Sequence, residues 1–588
     1  MLFKHFRIIK TTRLPPGWLK PLFWTNTGLV LGSLLLLILQ EGYRVPFPYY
    51  IQLAVKILLT ITGIGTVAEI VIKQTVTPRL PISRFRRVFD IIIALLLVPS
   101  LLSQRFIFLL VIIYQLVNFF SFSRTGFLPV IFGNIRQRPL RMLPISFATL
   151  ILLGTVLLTF PVATTDGRGA DLLTALFTVT SATCVTGLIV KDTGTYFSQF
   201  GQVVILLLIQ LGGLGIMTFY TSLAVLLGQR LGLTERRTMQ EIIEETRDID
   251  IARLVRYIFL FTILAEGLGA LILFLRWLFV LSTPAQAAYF AIFHSISAFC
   301  NAGFSLFSDS LIRFQSDLVT NLCFIGLIVI GGLGFPVVNE IFNRQTLFHF
   351  PYIVHRQRQT FGTRRLNLTI HSRLVIVTTA ILISAGTILF FFFEYDNALN
   401  SLPIGTRLLA SLFQSVTTRT AGFNTVSTTN LHSVTIFLWI ILMFIGASPG
   451  GTGGGIKTST IAVLFLAIRA RLRGEEEIVY ARRSVPKDVV YRATAIVALA
   501  LGALAVCFAL LLFSQNHRFE NLLFEAVSAF GTVGLSTGIT PNLNDFGKLV
   551  IIILMFIGRI GPLTLTLAMT APRERSAIIY PQARIIVG

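Results

Sequence analysis

Four short segments with the composition needed to bind a cation through the backbone recur along the chain. Each ends in a glycine followed by Leu or Phe. They are Cys184-Val185-Thr186-Gly187-Leu188, Cys300-Asn301-Ala302-Gly303-Phe304, Arg419-Thr420-Ala421-Gly422-Phe423 and Gly531-Thr532-Val533-Gly534-Leu535. Backbone carbonyls replace a cation's water shell when several face a common axis, and glycine permits the required dihedrals because it lacks a Cβ. The four segments therefore indicate a pathway lined by main-chain oxygens.

The spacing of the segments indicates one unit repeated four times. The glycines lie 116, 119 and 112 residues apart, and a second glycine series, Gly212, Gly331, Gly446 and Gly558, follows them by 25, 28, 24 and 24 residues. A Phe ten residues and a Ser six residues before the glycine recur in three units, and the third unit is one residue shorter there. The predicted units are 143–253, 254–371, 372–490 and 491–571, after an N-terminal membrane domain, 1–142, and before a cytoplasmic tail, 572–588.

Composition places the chain in a membrane. Apolar residues make up 54% of it, charged residues only 13%, and the mean hydropathy is +0.79, which lies outside the range of soluble domains. The net charge of +23 suggests nucleic acid in a soluble protein, but basic residues retained in cytoplasmic loops explain it here. The four cysteines have no metal-ligand spacing. We expect a lipid bilayer, and no nucleic acid, as the partner.

Each unit must position its glycine segment with the same elements. An outer crossing precedes a short half-helix, the glycine break and an inner crossing. The predicted outer crossings are 143–160, 255–279, 374–393 and 493–513; the half-helices are 175–183, 288–299, 410–418 and 522–530; the inner crossings begin near Gly201, Leu318, Val434 and Phe546. Half-helices this short cannot span the roughly 30 Å hydrocarbon core and are read as re-entrant. The fold class is all-α polytopic, with four tandem helix–re-entrant pore loop–helix repeats.

About four further crossings are predicted ahead of the repeats, near 24–40, 50–72, 88–102 and 106–120. The last two form either a tight hairpin or one long helix. Three basic clusters flank these crossings, and placing all of them in the cytoplasm requires an even number of crossings between them, which favours the hairpin. The first run lacks a small-residue cleavage site and is read as an uncleaved anchor. About twelve crossings and two cytoplasmic termini follow.

Two further features lie at membrane depth. Six glycines with Ser448, Pro449 and Thr452 follow Phe444 and must interrupt the third inner crossing, because glycine and proline are the poorest helix formers. A phosphate-binding loop is the rival, but Ile456 separates Gly455 from Lys457 and no strand precedes it. The second feature is the isolated Arg559, hypothesised to face the glycine-rich stretch and to set a barrier to cations; the alternative is an arginine that reaches the headgroups.

Other chemistry-bearing residues give weaker signals. Glu266 is expected to pair with a neighbouring helix or to lie near a cation path. Arg419 is a candidate brace behind the third segment. A nucleophile-elbow pattern begins at Gly534, but it needs a strand–turn–helix context and a triad, which a re-entrant loop does not supply. No enzyme and no covalently bound cofactor are expected. The competing transport class, a cation-coupled secondary transporter of another substrate, predicts inverted repeats.

The four segments, the stretch from Gly446 to Thr458 and Gly558-Arg559-Ile560-Gly561-Pro562-Leu563-Thr564 resemble the superfamily of potassium transporters that includes KtrB, TrkH and plant HKT proteins, and the KtrB/TrkH branch most. The fourth segment is also close to the Thr-Val-Gly-Tyr of potassium channels. The resemblance covers roughly residues 143–571. It implies potassium as the substrate, leaves sodium open as a co-ion, and places the protein in the plasma (inner) membrane.

The resemblance also assigns residues and partners. The implied selectivity filter is Val185, Thr186, Gly187, Asn301, Ala302, Gly303, Thr420, Ala421, Gly422, Thr532, Val533 and Gly534. The implied gate is Gly450, Gly451, Thr452, Gly453, Gly454, Gly455, Lys457 and Arg559. Glycine in all four units suggests potassium preference, since relatives with serine in the first unit tend to pass sodium. The family further implies a homodimer and a cytosolic ring of nucleotide-binding regulatory subunits.

Overall fold

A computed structural model describes residues 57, 60–67, 93, 139–215, 251–343 and 368–569. Apart from the short stretches before residue 139, the four predicted N-terminal crossings lie outside these residues, as does the tail, 572–588. The elements that carry the four glycine segments all lie inside them.

Within each predicted unit, the described helices run in the order long helix, shorter helix, returning helix. The first unit has α1 (Pro139–Leu158), α2 (Leu172–Thr183), the single turn α3 (Thr193–Tyr196) and α4 (Gln199–Leu214). The second has α5 (Ile251–Trp277), α6 (Pro284–Phe299), α7 (Leu318–Leu333) and α8 (Phe335–Asn343). The third has α9 (Ile370–Phe393), α10 (Ile404–Thr417), α11 (Ser433–Phe444) and α12 (Thr458–Leu472), and the fourth has α13 (Lys487–Ser514), α14 (Phe519–Gly531), α15 (Asp545–Ile560) and α16 (Pro562–Met569).

The outer helices α1, α5, α9 and α13 present apolar side chains outward. Leu152 in α1 is 65% exposed, Leu268 in α5 is 62% exposed and Phe513 at the end of α13 is 93% exposed. Three of the outer helices, α5, α9 and α13, are long and apolar enough to cross a bilayer by length and composition. Exposed apolar surface of this extent fits contact with lipid, so the outer helices form the periphery of the described part.

The predicted half-helices correspond to α2, α6, α10 and α14, here called the pore helices, and they form the centre. They are 12, 16, 14 and 13 residues long, short of the roughly 20 needed to span. Asp171 caps the start of α2 by accepting from the Thr174 N–H at 3.0 Å, and Thr283 caps α6 in the same way. The Phe series predicted from register, Phe177, Phe293, Phe413 and Phe524, is fully buried. These rings fix the pore helices within the core.

The inner helices α4, α7 and α15 each end at a glycine. The sequence predicted where the returning crossings begin and an interruption of the third one. In the structure α4, α7 and α15 end after 16 residues at Gly215, Gly334 and Gly561, whose φ angles are +77°, +90° and +89°. The chain then bends by 107° between α7 and α8 and by 91° between α15 and α16. A glycine with positive φ, which residues with a Cβ rarely adopt, ends the helix in each case. The sequence analysis predicted where these crossings begin and did not place the bends.

A two-stranded hairpin departs from the purely helical expectation. Strands β1 (Ile478–Tyr480) and β2 (Arg483–Val485) pair antiparallel after α12, with Ile478 opposite Val485. Ala481 and Arg482 form the turn with φ of +51° and +64°, as a type I′ turn requires. Without the Asn-Gly or Asp-Gly pair typical of such turns, the sequence carries little signal for this hairpin.

Candidate functional site: a ring of four glycines

The backbone of the four segments adopts one unusual conformation. The glycines Gly187, Gly303, Gly422 and Gly534 have φ of +93°, +71°, +79° and +89°. Two residues earlier, Val185, Asn301, Thr420 and Thr532 have φ of +58°, +59°, +71° and +51°. A left-handed conformation costs a non-glycine residue about 1–2 kcal/mol. Strained backbone clusters at functional sites, so the same strained conformation at four corresponding positions marks these segments as the candidate functional site.

The four glycines touch one another in a closed ring. A Cβ added to Gly187 would lie 2.6 Å from the carbonyl oxygen of Ala302, and a Cβ on Gly303 would lie 2.9 Å from that of Ala421. Continuing around the ring, a Cβ on Gly422 would lie 2.5 Å from the oxygen of Val533, and one on Gly534 would lie 2.1 Å from that of Thr186. Each glycine therefore abuts the residue that precedes the next glycine, and the last abuts the first. We call this arrangement the glycine ring.

The pore helices take up the amides that precede the ring glycines. The Thr186 N–H donates to the Ser181 carbonyl at 2.8 Å, and the Ala302 N–H donates to the Ser297 carbonyl at 2.8 Å. The Ala421 and Val533 amides donate to Thr417 and Ser528 in the same manner, at 3.0 and 2.9 Å. Because these N–H groups point back to the pore helices, the ring interior is left to groups that can face a cation, the carbonyl oxygens.

A glycine-rich loop, residues 446–457, lies against the pore-helix side of the ring. It closes on itself through the Gly446 N–H, which donates to the Ile456 carbonyl at 2.8 Å, and through the Lys457 ammonium, which donates to the Gly453 carbonyl at 2.8 Å. A Cβ on Gly453 would lie 1.9 Å from Thr420 Oγ1. The loop is thus packed too tightly against the third segment to admit a side chain there.

Hydrogen bonds join this loop to the second and fourth units. The Thr452 hydroxyl donates to the carbonyl of Phe299, the last residue of α6, at 3.1 Å, and the Thr452 N–H donates to the Gly331 carbonyl in α7 at 3.1 Å. The Gly454 N–H donates to the Thr532 hydroxyl at 2.9 Å. Since Thr532 belongs to the fourth glycine segment, the loop and the ring are directly connected.

Arg559 joins the loop to the first unit. Its guanidinium donates to the Thr452 carbonyl in the loop and to the carbonyls of Gly212 and Gly213 at the end of α4. Among the described residues it forms no ion pair with an acidic side chain, so its charge is met by carbonyl dipoles, which are favourable to a cation at a helix C-terminus. These interior contacts do not fit an arginine that reaches the headgroups, and they match the hypothesised contact with the glycine-rich stretch.

The second glycine series divides three to one. A Cβ on Gly212, Gly331 or Gly558 would lie 1.9–2.0 Å from the carbonyl oxygen four residues before the ring glycine of its own unit. Gly446 instead lies against Gly454 within the loop. The series predicted from spacing therefore serves close packing of inner helix on pore helix in three units and loop closure in the third.

The weaker sequence candidates differ in outcome. Glu266 accepts a hydrogen bond from the Gln210 side chain in α4 at 3.3 Å. It therefore pairs with a neighbouring helix, which is one of the two arrangements expected for it. Arg419 is 7% exposed, and its Nε has no hydrogen-bond partner within the described residues, so no bracing contact of that atom is seen. No cluster of His, Cys, Asp or Glu in the described part of the chain is able to hold a metal ion.

Two buried carboxylates were missed by the sequence analysis. Glu394 at the end of α9 is fully buried and accepts from the His432 N–H at 3.0 Å and from the Thr435 hydroxyl at 2.5 Å, which caps the start of α11. Glu525 in α14 is 1% exposed and accepts from the Thr540 hydroxyl at 2.8 Å. Each is an acidic residue next to an apolar stretch. That signal is present in the sequence, but it is not part of the repeat pattern from which the other site residues were predicted.

Re-entrant helices that bring main-chain oxygens together inside a bundle of apolar helices define a membrane protein that handles cations. A model of the TrkH family, described as cation transport protein, matches residues 143–578, and the chain belongs to this family. It is therefore a multi-pass membrane cation transport protein and not an enzyme.

Individual relatives align over nearly their whole length. The Ktr system potassium uptake protein B of Bacillus subtilis (strain 168) is 40% identical over 456 residues, covering 77% of this chain and 98% of the relative. The protein of the same description from Vibrio alginolyticus is 38% identical over 451 residues, covering 76% and 94%. The crystal structure of the potassium transporter TrkH from Vibrio parahaemolyticus matches with a TM-score of 0.59 at 16% identity, covering 88% of this chain and 97% of that one; at that identity the match speaks for the fold.

Proposed function

We propose that the chain carries potassium ions across a membrane through the glycine ring, with the ring carbonyls as the selectivity filter. The observation that carries the proposal is the closure of the ring, in which each glycine meets the carbonyl before the next. Four tandem units around one pathway supply carbonyls from four sides, as dehydration of a cation requires. The two Ktr relatives are named as potassium uptake proteins, which supports potassium as the ion.

The glycine-rich loop and Arg559 are proposed as the gate. The loop lies on the side of the ring where the pore helices end. Arg559 adds a positive charge that is met by carbonyl dipoles and by the Phe147 ring, without an acidic partner in the described part of the chain. A fixed cation next to the path repels permeant cations in a low-dielectric surrounding. Withdrawal of the loop, with Arg559 released from it, would open the path.

The proposed assembly follows the family. The protein is proposed to be a homodimer in the plasma (inner) membrane with both termini in the cytoplasm, preceded by about four additional helices. A Ktr system relative supports a separate cytosolic regulatory subunit, proposed as a nucleotide-binding ring. A relative from Enterococcus hirae named potassium/sodium uptake protein NtpJ, 33% identical over 466 residues, keeps sodium as a candidate co-ion.

Rubidium uptake into liposomes that contain the purified protein tests the function. Rubidium should enter and sodium should compete poorly. Gly187→Ser places a Cβ where it would meet the Ala302 oxygen at 2.6 Å, and we expect it to weaken the discrimination against sodium. Gly267→Ser is the matched control, because a Cβ at Gly267 in α5 meets nothing within 4 Å.

The outcomes separate the two parts of the proposal. Absence of rubidium uptake by the folded wild-type protein would refute potassium transport. Full discrimination by Gly187→Ser, with uptake intact, would show that the first segment is not part of the filter. An equal loss of discrimination against sodium in Gly187→Ser and Gly267→Ser would show that the glycine ring is not the cause of the loss.

A further inference from the structure

Each pore helix carries a polar residue at one register position. It lies nine residues before the ring glycine, or eight in the shorter third unit. The four residues are Thr178, His294, Gln414 and Glu525. All are at most 1% exposed, although Gln and Glu are rarely buried without partners. A buried polar residue at the same place in four units calls for a common partner.

Three of the four reach the same part of the backbone, the four residues after each ring glycine, here called the exit segment. His294 Nδ1 donates to the Phe290 carbonyl at 2.8 Å, which leaves Nε2 to accept from the Leu306 N–H at 3.3 Å. The Gln414 oxygen, with the amide oriented to suit its neighbours, accepts from the Thr425 N–H at 3.2 Å and the Val426 N–H at 3.0 Å.

The fourth unit repeats the contact with a carboxylate. Glu525 Oε1 accepts from the Thr537 N–H at 3.1 Å. Leu306, Thr425 and Thr537 are each the third residue after their ring glycine, so the same amide is held in three units by three different side chains. We call His294, Gln414 and Glu525 the exit braces.

Glu525 makes the most extensive of these contacts. Besides the Thr537 amide, Oε1 accepts from the Ser536 hydroxyl at 2.5 Å, and Oε2 accepts from the Thr540 hydroxyl at 2.8 Å. It has no ion-pair partner among the described residues. Two of these donors, Ser536 and Thr537, lie in the exit segment, and the third, Thr540, lies two residues beyond it. His294 and Gln414 also each meet two residues of their own exit segments, so Glu525 differs from them by the additional bond to Thr540.

The first unit lacks the brace. Thr178 is too short to reach its exit segment, and its hydroxyl is buried with no hydrogen-bond partner within the described residues. The unit therefore supplies an internal comparison: a polar side chain in the same register that makes none of the contacts. Changes at Thr178 and at Glu525 alter similar surroundings but different bonding.

We propose that the exit braces are positioning residues that hold the outer side of the filter and so determine its discrimination between cations, with Glu525 contributing most. The inference rests on the proposed function of the ring. Carbonyls select by a fixed arrangement around the ion, and an exit segment free to move lets them adapt to a smaller cation. The braces act through the backbone and do not touch the ion.

Three variants in liposomes test the braces. Glu525→Leu removes both acceptor oxygens while keeping an apolar bulk. The Thr537 N–H then loses its acceptor, whereas the Ser536 and Thr540 hydroxyls keep their contact with each other. We expect its ratio of rubidium to sodium uptake to fall by about tenfold, since an unsatisfied buried donor carries a cost of that order. Glu525→Gln keeps an acceptor oxygen and should stay within about threefold of wild type. Thr178→Val should leave the ratio unchanged.

The readouts keep this inference separate from the transport proposal. Wild-type protein without rubidium uptake refutes transport itself. Wild-type uptake with an unchanged ratio in folded Glu525→Leu, or a ratio in Glu525→Gln as low as in Glu525→Leu, refutes the braces alone. If Glu525→Leu does not fold, Gln414→Leu and Gln414→Glu pose the same question in the third unit, and equal ratios in those two would overturn the inference.

Discussion

Replacing each ring glycine by alanine should reduce rubidium uptake to a different extent at each position, and the ring geometry predicts the order. Each replacement introduces a Cβ at a left-handed residue, a cost of about 1–2 kcal/mol that is shared by all four positions. The clashes are not shared. The added Cβ would lie 2.1 Å from a carbonyl oxygen at Gly534 but 2.9 Å from one at Gly303. Any difference between these two variants therefore reports the clash and not the backbone strain.

The displacement sets the magnitude. A Cβ and an oxygen need about 3.0 Å of separation, so the Thr186 carbonyl must move by about 0.9 Å in Gly534→Ala, whereas the Ala421 carbonyl hardly moves in Gly303→Ala. A misplacement of about 1 Å at a preorganised site costs on the order of a hundredfold. We expect rubidium uptake to fall about a hundredfold in Gly534→Ala and about tenfold or less in Gly303→Ala, with Gly422→Ala and Gly187→Ala between them.

Initial rates of rubidium uptake into liposomes, normalised to folded protein by size-exclusion chromatography, measure the series. Gly267→Ala is the control, because its Cβ meets nothing within 4 Å. Wild-type uptake by Gly534→Ala would refute the closure of the ring between the fourth and first units. Equal losses at Gly534 and Gly303 would show that backbone strain, and not contact between neighbouring units, controls transport.

Two further predictions concern the gate and the scaffold. Arg559→Ala should raise the basal rubidium flux several-fold, because it removes the charge and the bonds that hold the loop. Arg559→Lys should keep most of the barrier. Flux assays without the regulatory subunit measure both variants, and unchanged flux in Arg559→Ala would contradict the barrier. Glu394→Ala should destabilise the protein by about 2 kcal/mol or more, because it leaves the cap of α11 and its buried donors unsatisfied. Thermal melting in detergent measures this, with Glu394→Gln expected to fall between Glu394→Ala and wild type, and an unchanged melting temperature in Glu394→Ala would count against the cap.

The sequence predicts the ring well because its determinants are residue types at a fixed spacing. Gly187, Gly303, Gly422 and Gly534 all have positive φ, and a Cβ at each would lie 2.9 Å or less from a carbonyl oxygen of the neighbouring unit. Backbone geometry of that kind leaves a mark in every unit. The bends at Gly334 and Gly561 escaped prediction because a glycine in an apolar helix equally indicates close helix packing, and only the positive φ distinguishes a bend from a contact.

The partners of Arg559 and Thr452 could not be predicted for a different reason. Both residues bond to backbone carbonyls, those of Gly212 and Phe299 among them. Every residue has a backbone carbonyl, so the residue types in the sequence do not indicate which carbonyl accepts the hydrogen bond. The exit braces lie between the two cases. Their register is visible in the sequence, but His, Gln and Glu share no obvious type, and only the common amide that they approach reveals the relation.

The glycine-rich loop gives a reason for joining four similar units in one chain. The loop occurs in the third unit, yet it bonds to Phe299 in the second and Thr532 in the fourth, and Arg559 ties it to Gly212 in the first. In a ring of four identical subunits each subunit would bring its own loop, and four loops would compete for the space that one occupies here. Covalent linkage lets the ring stay nearly fourfold while a single, asymmetric element spans all four units beneath it.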